Sequence, residues 1–300
     1  MITSILNKDA GFYSIIFFTI NHFIYCKKNN VSFRLDSSDW LFKSVEGWCD
    51  YFKSIDFDGV NESDQNKILK HNQLAGDFFV QEYHNIIHSD FYKYNDAVNE
   101  KIQDAYKNLN ITKGDYDAIF IRRGDKICNE SKVYETEQYI DLLLQKHPEC
   151  KKIFIQTDDY NTFIDAENYI KNKNLDIKIL TLCDPNVKGM VVFEKDLTLD
   201  LHNCVIRGHS LNESYFNKIS GDLHNFKPVN KMNSEEIYKH TLDMLIGIDI
   251  VLNSNYCTLD WQSNVGRFIC VAHNNHKKVF DIRYPMDNIE MYWTMCPAYW

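Results

Sequence analysis

The sequence predicts an α/β protein of two domains, the second of which is built around a parallel sheet. Its 300 residues, 44% of them hydrophobic, suffice for two cores of about 100–200 residues each. Downstream of residue 113, short apolar runs typical of strands alternate with helical patterns, and this alternation indicates βαβ units. Charged clusters directly follow the first two of these runs, where parallel sheets bind their ligands.

The first domain is predicted to span residues 1–112. Residues 14–28 form an apolar, helix-like run, and residues 32–35 have the pattern of a short strand. An aromatic stretch occupies residues 40–52, and the polar residues 61–110 are predicted to be helical. The turn-forming string Thr-Lys-Gly that follows marks the domain boundary.

The second domain is predicted to span residues 113–300. Its strands are predicted at 116–122, 152–156, 177–182 and 249–252, and its helices at about 135–147, 161–173, 234–246 and 262–272. Residues 184–233 fit this alternation poorly and are either an insertion that carries acceptor contacts or a long loop. The aromatic tail, residues 292–300, is expected to pack back on the first domain or to form an interface.

Charge and cysteine content exclude some classes of partner. The net charge of −9 and the pI near 5.6 argue against a nucleic-acid surface, so an anionic ligand must be met by a local basic cluster. The nine cysteines include no pair at the two-residue gap of a metal knuckle. They are expected to be free thiols in a reducing compartment, which predicts a cytoplasmic protein.

The apolar segment 10–26 raises the question of a membrane anchor. It is interrupted by Asn21 and His22, it lacks a basic leader, and it is shorter than the roughly 20 apolar residues that a bilayer span needs. We therefore expect a buried helix and no membrane association.

The string Ile119-Phe120-Ile121-Arg122-Arg123-Gly124-Asp125-Lys126 carries the strongest functional signal. An apolar strand delivers two guanidinium groups into a turn, an arrangement that aims fixed positive charge at a diphosphate. The alternative is an ordinary surface ion pair between arginine and aspartate after a buried strand. Thr157-Asp158-Asp159 follows the second predicted strand, and by itself this acidic pair would suggest a divalent-cation site.

Further blocks in the chain fit the same kind of site. In chain order, the blocks are Gly11-Phe12-Tyr13-Ser14, Ser37-Ser38-Asp39-Trp40 with Gly47-Trp48, Ile121-Arg122-Arg123-Gly124-Asp125-Lys126 with Glu130, Ile153-Phe154-Ile155-Gln156-Thr157-Asp158-Asp159, Leu223-His224-Asn225 and Ser263-Asn264-Val265-Gly266-Arg267. With these blocks the chain resembles the GDP-fucose-dependent fucosyltransferases, most closely the core α1,6-fucosyltransferases and their relatives that act on chitin oligosaccharides.

The resemblance implies a GT-B-like architecture of two Rossmann-like lobes with the donor in the cleft, inversion at the sugar carbon, and no requirement for a metal ion or other cofactor. The first lobe would be the acceptor side with the Gly11 loop. The expected partners are GDP-fucose and a glycan acceptor. The residues expected to bind GDP-fucose are Gly11, Phe12, Tyr13, Arg122, Arg123, His224, Asn225, Ser263 and Asn264, and those expected to bind the acceptor are Asp158, Asp159, Lys126 and Glu130.

Three residues are expected to take part in catalysis. Arg122 would stabilise the negative charge that develops on the departing diphosphate. Glu130 would act as the general base for the attacking hydroxyl, and Lys126 would tune that carboxylate. By strand alternation, Arg123 should face away from Arg122, and its alternative role is an ion pair that holds the loop.

Two helix starts could bind phosphate. Gly11 precedes the first helix, where a missing side chain lets backbone N–H groups approach an anion. Ser263 opens the helix 262–272, and on local grounds it is equally well explained as an N-cap. The resemblance favours donor binding for both.

The chain departs from the family pattern at two positions. Phe120 stands where the family often has a histidine of the guanine site, and Phe226 replaces a basic residue, with Lys227 as a possible substitute. The alternatives are therefore another GDP-deoxysugar donor, a protein hydroxyl as acceptor, or a catalytically inactive protein that binds GDP or glycans.

Overall fold

A computed structural model describes most of the chain. The described residues are 1–8, 11–60, 67–69, 80–123, 134–187, 191–192, 224–225 and 229–283. Of residues 191–192 and 224–225, the backbone alone is described.

The chain divides into two compact units. The first contains the described residues within Met1–Ala105 and Val229–Ile246, and the second those within Tyr106–Pro228 and Gly247–Asp287. The contact-based division thus assigns the segment Val229–Ile246 to the first unit, whereas the sequence suggested one boundary near residue 112. The boundary between functional domains stays a prediction.

The first unit contains a small parallel sheet flanked by helices. Its elements are β1 (Ile2–Ile5), α1 (Phe12–Asn29), β2 (Phe33–Asp36), β3 (Lys67–Leu69), α2 (Val80–Ile86) and α3 (Asp96–Leu109), with a π-helical turn at Ile87–Phe91 and a 3-10 turn at Gly47–Asp50. The strand order is β2-β1-β3. Ile2 of β1 is in register with Phe33 of β2 and Lys67 of β3.

Helix α1 is the buried helix expected from the sequence. Most of its residues are buried, and such an all-round apolar pattern is typical of a core helix. Asn30 ends the helix in the left-handed conformation, with φ 54°, and its N–H donates to the carbonyls of Cys26 and Lys27. No helix among the described residues is long and apolar enough to cross a membrane.

The prediction of continuous helix over residues 61–110 was wrong in part. The described residues contain strand β3 and an interruption between the π-helical turn and α3. The Asn95 side chain accepts a hydrogen bond of 2.9 Å from the N–H of Val98, so Asn95 starts a new helix by capping it. Polar composition alone did not reveal this cap.

The second unit contains a five-stranded parallel sheet and a short strand pair. Its elements are β4 (Asp117–Ile121), α4 (Thr136–Lys146), β5 (Lys152–Thr157), α5 (Tyr160–Asn172), β6 (Lys178–Leu180), β7 (Val191–Val192), β8 (His224–Asn225), the last residues of α6 (Ser234–Leu252), β9 (Cys257–Leu259), α7 (Asn264–Ala272) and β10 (Val279–Asp281). The strand order of the larger sheet is β10-β9-β4-β5-β6. Its central strand β4 is buried at all five positions. Strands β7 and β8 pair with each other in parallel.

The prediction of a strand at residues 249–252 is wrong, because these residues form the end of helix α6. The run Ile246 to Leu252 is buried almost throughout, and a short, fully buried apolar run does not distinguish a strand from a helix by its period. The strand of this region is β9, at Cys257–Leu259. The other predicted elements agree with the structure to within a few residues, and the α/β fold class with two parallel sheets is confirmed.

Candidate functional site

The candidate site is the carboxyl edge of the five-stranded sheet. Strands β4, β5, β9 and β10 end there at Ile121, Thr157, Leu259 and Asp281. Since all these strands are parallel, the residues that follow them meet at one edge, which is where open α/β sheets bind ligands.

Arg122 and Arg123 leave β4 with different environments. The side chain of Arg122 is 34% exposed, and its Nε lies 3.9 Å from Oδ2 of Asp158. Arg123 is 3% exposed, and its Nη2 donates to the carbonyl oxygen of Tyr134 over 2.5 Å. Arg122 is therefore placed to meet a ligand, whereas Arg123 holds the segment that enters α4. Lys126 and Glu130 lie outside the described residues.

Asp158 and Asp159 also differ in role. Oδ1 of Asp158 accepts a hydrogen bond of 2.6 Å from the N–H of Arg123. Asp159 is buried and caps α5, since its Oδ1 accepts from the N–H of Asn161 over 2.9 Å. Asp158 thus lies at the site beside Arg122, and the carboxylate of Asp159 is engaged by its own helix.

Sequence reasoning missed a third charged group at this edge. Nε of Arg283 lies 3.1 Å from Oδ1 of Asp260 and 3.8 Å from Oδ2 of Asp281. Burial raises the pKa of Asp260, and burial raises the pKa of Asp281 to about 6, although Arg283 opposes both shifts. The signal was the same as for Arg122, a charged residue at a strand end, but neither β9 nor β10 was predicted from the sequence.

Ser263 begins helix α7 directly after this group. Its Oγ accepts a hydrogen bond of 2.9 Å from the N–H of Gly266, which is N-cap geometry. A side chain at Gly266 would meet the Asp260 carbonyl oxygen at 2.2 Å, so the start of α7 packs closely against the end of β9. Asn264 is the first helical residue and is half-buried. The structure confirms the N-cap and does not test donor binding.

The predicted phosphate loop at Gly11 belongs to the first unit. Gly11 is exposed and precedes α1 without a side-chain cap, with φ −65° and ψ 158°. A Cβ at this position would meet no atom of the described residues within 4 Å. Phe12 and Tyr13 are buried, and the Tyr13 hydroxyl lies 2.9 Å from the Tyr92 hydroxyl. Gly11 thus leaves the helix start open, while the two aromatic side chains are part of the core.

His224 and Asn225 form strand β8 beside Val191 and Val192. Their side chains lie outside the described residues. Their expected contribution to the nucleotide site stays a prediction.

The chain is similar to known proteins in structure, whereas comparisons of its sequence found no match. No family model matches the chain, and no curated protein matches it at a significant level. Arabidopsis thaliana FUT1, solved as a mutant in complex with GDP, is 8% identical with a TM-score of 0.53, over 93% of this chain and 69% of that chain.

The fucosyltransferase NodZ from Bradyrhizobium is 9% identical with a TM-score of 0.46, over 89% of this chain and 91% of that one. NodZ α-1,6-fucosyltransferase soaked with GDP-fucose is 9% identical with a TM-score of 0.47, over 90% and 91%. At such identities the similarity shows fold alone. The chain has the α/β fold with two parallel sheets that GT-B fucosyltransferase structures have.

Proposed function

We propose that the protein is an inverting fucosyltransferase, which transfers fucose from GDP-fucose to a hydroxyl group of a glycan, in the manner of the α1,6-fucosyltransferases. The observation that carries this proposal is Arg122. Its side chain is one-third exposed beside Asp158, at the carboxyl edge of a parallel sheet, in a fold shared with GDP-bound FUT1.

Arg122 provides the positive charge that the reaction needs. Cleavage of the glycosidic bond leaves negative charge on the diphosphate. A guanidinium stabilises this charge because it can donate two parallel hydrogen bonds and stays protonated. Asp158 limits the positions that this side chain adopts, so the charge is in place before the reaction begins.

Each unit contains a helix start that we assign to the donor. The first N–H groups of α1 lack a side-chain cap, and α7 begins with the hydroxyl of Ser263. Backbone N–H groups and the helix dipole both favour a bound anion at such positions. We assign Gly11, Ser263 and Asn264 to the donor, together with His224 and Asn225.

The acceptor side of the proposal rests on the resemblance in the sequence. Glu130 is assigned as the general base, which removes the proton of the attacking hydroxyl, and Lys126 as the cation that tunes it. Asp158, whose side chain is 34% exposed, is assigned to the sugar hydroxyls, and Asp159 is assigned to the same subsite. The transfer is proposed to proceed without a metal ion, and the protein to act in the cytoplasm.

Phe120 supports a second candidate, a related donor in place of GDP-fucose. This residue is 7% exposed at the end of β4, and a phenyl ring offers no hydrogen bond where the resembling family often has a histidine. Another GDP-deoxysugar fits the same diphosphate site with different contacts to base and sugar.

Calorimetry with GDP, GDP-fucose and GDP-mannose, with and without EDTA, tests the proposal, together with a fucose-transfer assay on chitin oligosaccharides and N-glycan cores. We expect EDTA to leave the affinities for GDP and GDP-fucose unchanged. In the transfer assay, we expect GDP to be released only when an acceptor is present. Binding of GDP without transfer would favour the inactive binding protein. Loss of GDP binding in EDTA, in protein that circular dichroism shows to be still folded, would overturn the metal-free mechanism.

A further inference from the structure

Three side chains with metal-binding atoms meet at the amino-terminal edge of the five-stranded sheet. Asp117 begins β4, His147 directly follows α4, and Cys150 precedes β5 by two positions. One oxygen, one nitrogen and one sulfur atom of the three lie within 4.8 Å of one another. Arg122 lies five positions after Asp117, roughly 16 Å along the strand, so the group is distinct from the candidate site.

We propose that Asp117, His147 and Cys150 bind one Zn²⁺ ion, which fastens the amino-terminal edge of the sheet. Mixed oxygen, nitrogen and sulfur ligands suit zinc, whereas magnesium and calcium select oxygen ligands alone. Three protein ligands leave the fourth tetrahedral position to a water molecule. The ion would stabilise the fold and is independent of the proposed transfer reaction.

The turn between α4 and β5 brings two of the ligands together. His147 and Cys150 are separated by two residues, the spacing with which zinc sites often hold paired ligands. The N–H of Cys150 donates to the carbonyl of His147 over 3.2 Å, and the N–H of His147 donates to the carbonyl of Leu143 over 2.7 Å. Backbone hydrogen bonds therefore fix the turn independently of any ion.

Tyr256 orients the side chains of Asp117 and His147. Its N–H donates to Oδ1 of Asp117 over 3.1 Å, which leaves Oδ2 directed to His147. Its ring stacks on the His147 imidazole, with centroids 4.5 Å apart and 15° between the planes. Such contacts around the ligands set their geometry before the ion arrives.

The charge of the group also favours a cation. Asp117 is 1% exposed, and its only ion pair among the described residues is with His147. A buried carboxylate is costly unless a positive charge compensates it. With Zn²⁺, one carboxylate and one thiolate give a neutral buried site.

Binding requires a small rearrangement. Nδ1 of His147 and Oδ2 of Asp117 lie 2.6 Å apart in a hydrogen bond, whereas two ligands of one zinc ion lie about 3.3–3.7 Å apart. Zn²⁺ takes the place of the proton that lies between Nδ1 and Oδ2, and the neutral imidazole bound through Nδ1 carries its one proton on Nε2. The thiol of Cys150 loses its proton to solvent as the sulfur–zinc bond forms. The His147 side chain is 24% exposed and provides the entry path.

Cobalt titration of the metal-free full chain tests the site. Tetrahedral cobalt bound to a thiolate gives visible d–d bands and an ultraviolet charge-transfer band. We expect both bands to saturate at one equivalent of cobalt and to disappear when zinc is added. Cys150→Ala should abolish the charge-transfer band, and His147→Gln should weaken zinc binding by at least about a hundredfold.

Cys49→Ala is the matched control, because Cys49 is an exposed thiol and would be the first to bind an adventitious ion. Circular dichroism of each variant establishes that it is folded, and the conservative His147→Gln variant decides the outcome should Cys150→Ala fail to fold. No charge-transfer band in the wild type, or the same zinc affinity in folded His147→Gln, would overturn the proposal. GDP calorimetry on the same samples tests the proposed function separately. The affinity for GDP should be the same with and without zinc, so failure of one proposal can be distinguished from failure of the other.

Discussion

The N–H of Arg123 donates a hydrogen bond of 2.6 Å to Oδ1 of Asp158, so the segment that leaves β4 is tied to the end of β5. The other carboxylate oxygen, Oδ2, lies 3.9 Å from Nε of Arg122. One carboxylate thus fixes the backbone of the turn and faces the guanidinium that we assign to the donor. The position of Arg122 therefore depends on Asp158.

Replacement of Asp158 tests this dependence. Asp158→Ala removes the acceptor of the Arg123 N–H and should lower the free energy of unfolding by about 1–3 kcal/mol. Asp158→Asn retains an acceptor and should lower it by less. Urea unfolding measures both changes. Asp176→Ala is the control, because Asp176 pairs with Lys151 at 3.0 Å while 95% exposed, and an effect of Asp158→Ala no larger than this control would contradict the role of Asp158.

Glu130→Gln and Arg122→Ala should have different effects on binding and turnover. Removal of the proposed general base should reduce turnover by several orders of magnitude and leave GDP affinity largely unchanged. Removal of the proposed diphosphate ligand Arg122 should reduce both, because we assign it a contact with the bound diphosphate that becomes stronger in the transition state. Calorimetry with GDP and an initial-rate assay give the two quantities. Unchanged turnover in Glu130→Gln would contradict the assignment of Glu130 as the general base.

Gly11→Ala should change binding without changing stability. Within the part of the chain that the structure describes, the new methyl group would meet no atom within 4 Å, and φ of −65° suits alanine. If backbone N–H groups of α1 contact the diphosphate, the methyl group should weaken GDP affinity by about tenfold or more. Thermal unfolding should therefore show unchanged stability in this variant, while calorimetry shows weaker GDP binding. Unchanged GDP affinity would place the diphosphate away from Gly11.

Gly266→Ala should have the opposite effect. Its Cβ would lie 2.2 Å from the Asp260 carbonyl oxygen, so helix α7 must move away from β9. We expect a loss of about 1–3 kcal/mol in the free energy of unfolding, measured by urea unfolding with Gly11→Ala as the matched glycine control. Equal stability of the two variants would mean that the start of α7 adjusts freely.

The buried carboxyl of Asp281 predicts a pH dependence of stability. Its pKa is raised to about 6 by burial, compared with about 3.9 for an unfolded aspartic acid. The folded state thus holds the proton more tightly, and the stabilisation present below about pH 4 is lost as the pH rises through about 6. The full difference corresponds to roughly 3 kcal/mol.

Asp281→Asn removes this titration. Urea unfolding of wild type and variant at a series of pH values between about 4 and 7 should give a shallower pH dependence for the variant. Parallel curves would show that Asp281 titrates normally in the folded protein.

Much of the fold followed from local patterns. Isolated apolar runs such as Ile119-Phe120-Ile121 predicted strands because their flanking residues end the pattern abruptly. The run from Ile246 to Leu252 did not, since it is buried almost throughout and its period carries no information about which element it forms. Only packing decided that it is helix.

The candidate site was predictable where residues adjoin a strand end in the sequence. Arg122 and Asp158 were identified in this way. They lie next to each other because Ile121 of β4 is in register with Thr157 of β5. Asp260, Asp281 and Arg283 were not identified, because their meeting requires β9 and β10 to be neighbours. The same holds for Asp117, His147 and Cys150, which are separated in the chain and meet through the order of the strands.

Neighbouring residues in the chain were enough to predict the alternation of elements, the α/β class and the two arginines that follow β4. Folding of the whole chain was needed to bury Arg123 and leave Arg122 partly exposed, to make Asp159 a helix cap, and to bring distant charges to one edge of the sheet. Burial and long-range contact arise from strand order and packing, and these are properties of the folded chain that no local pattern encodes.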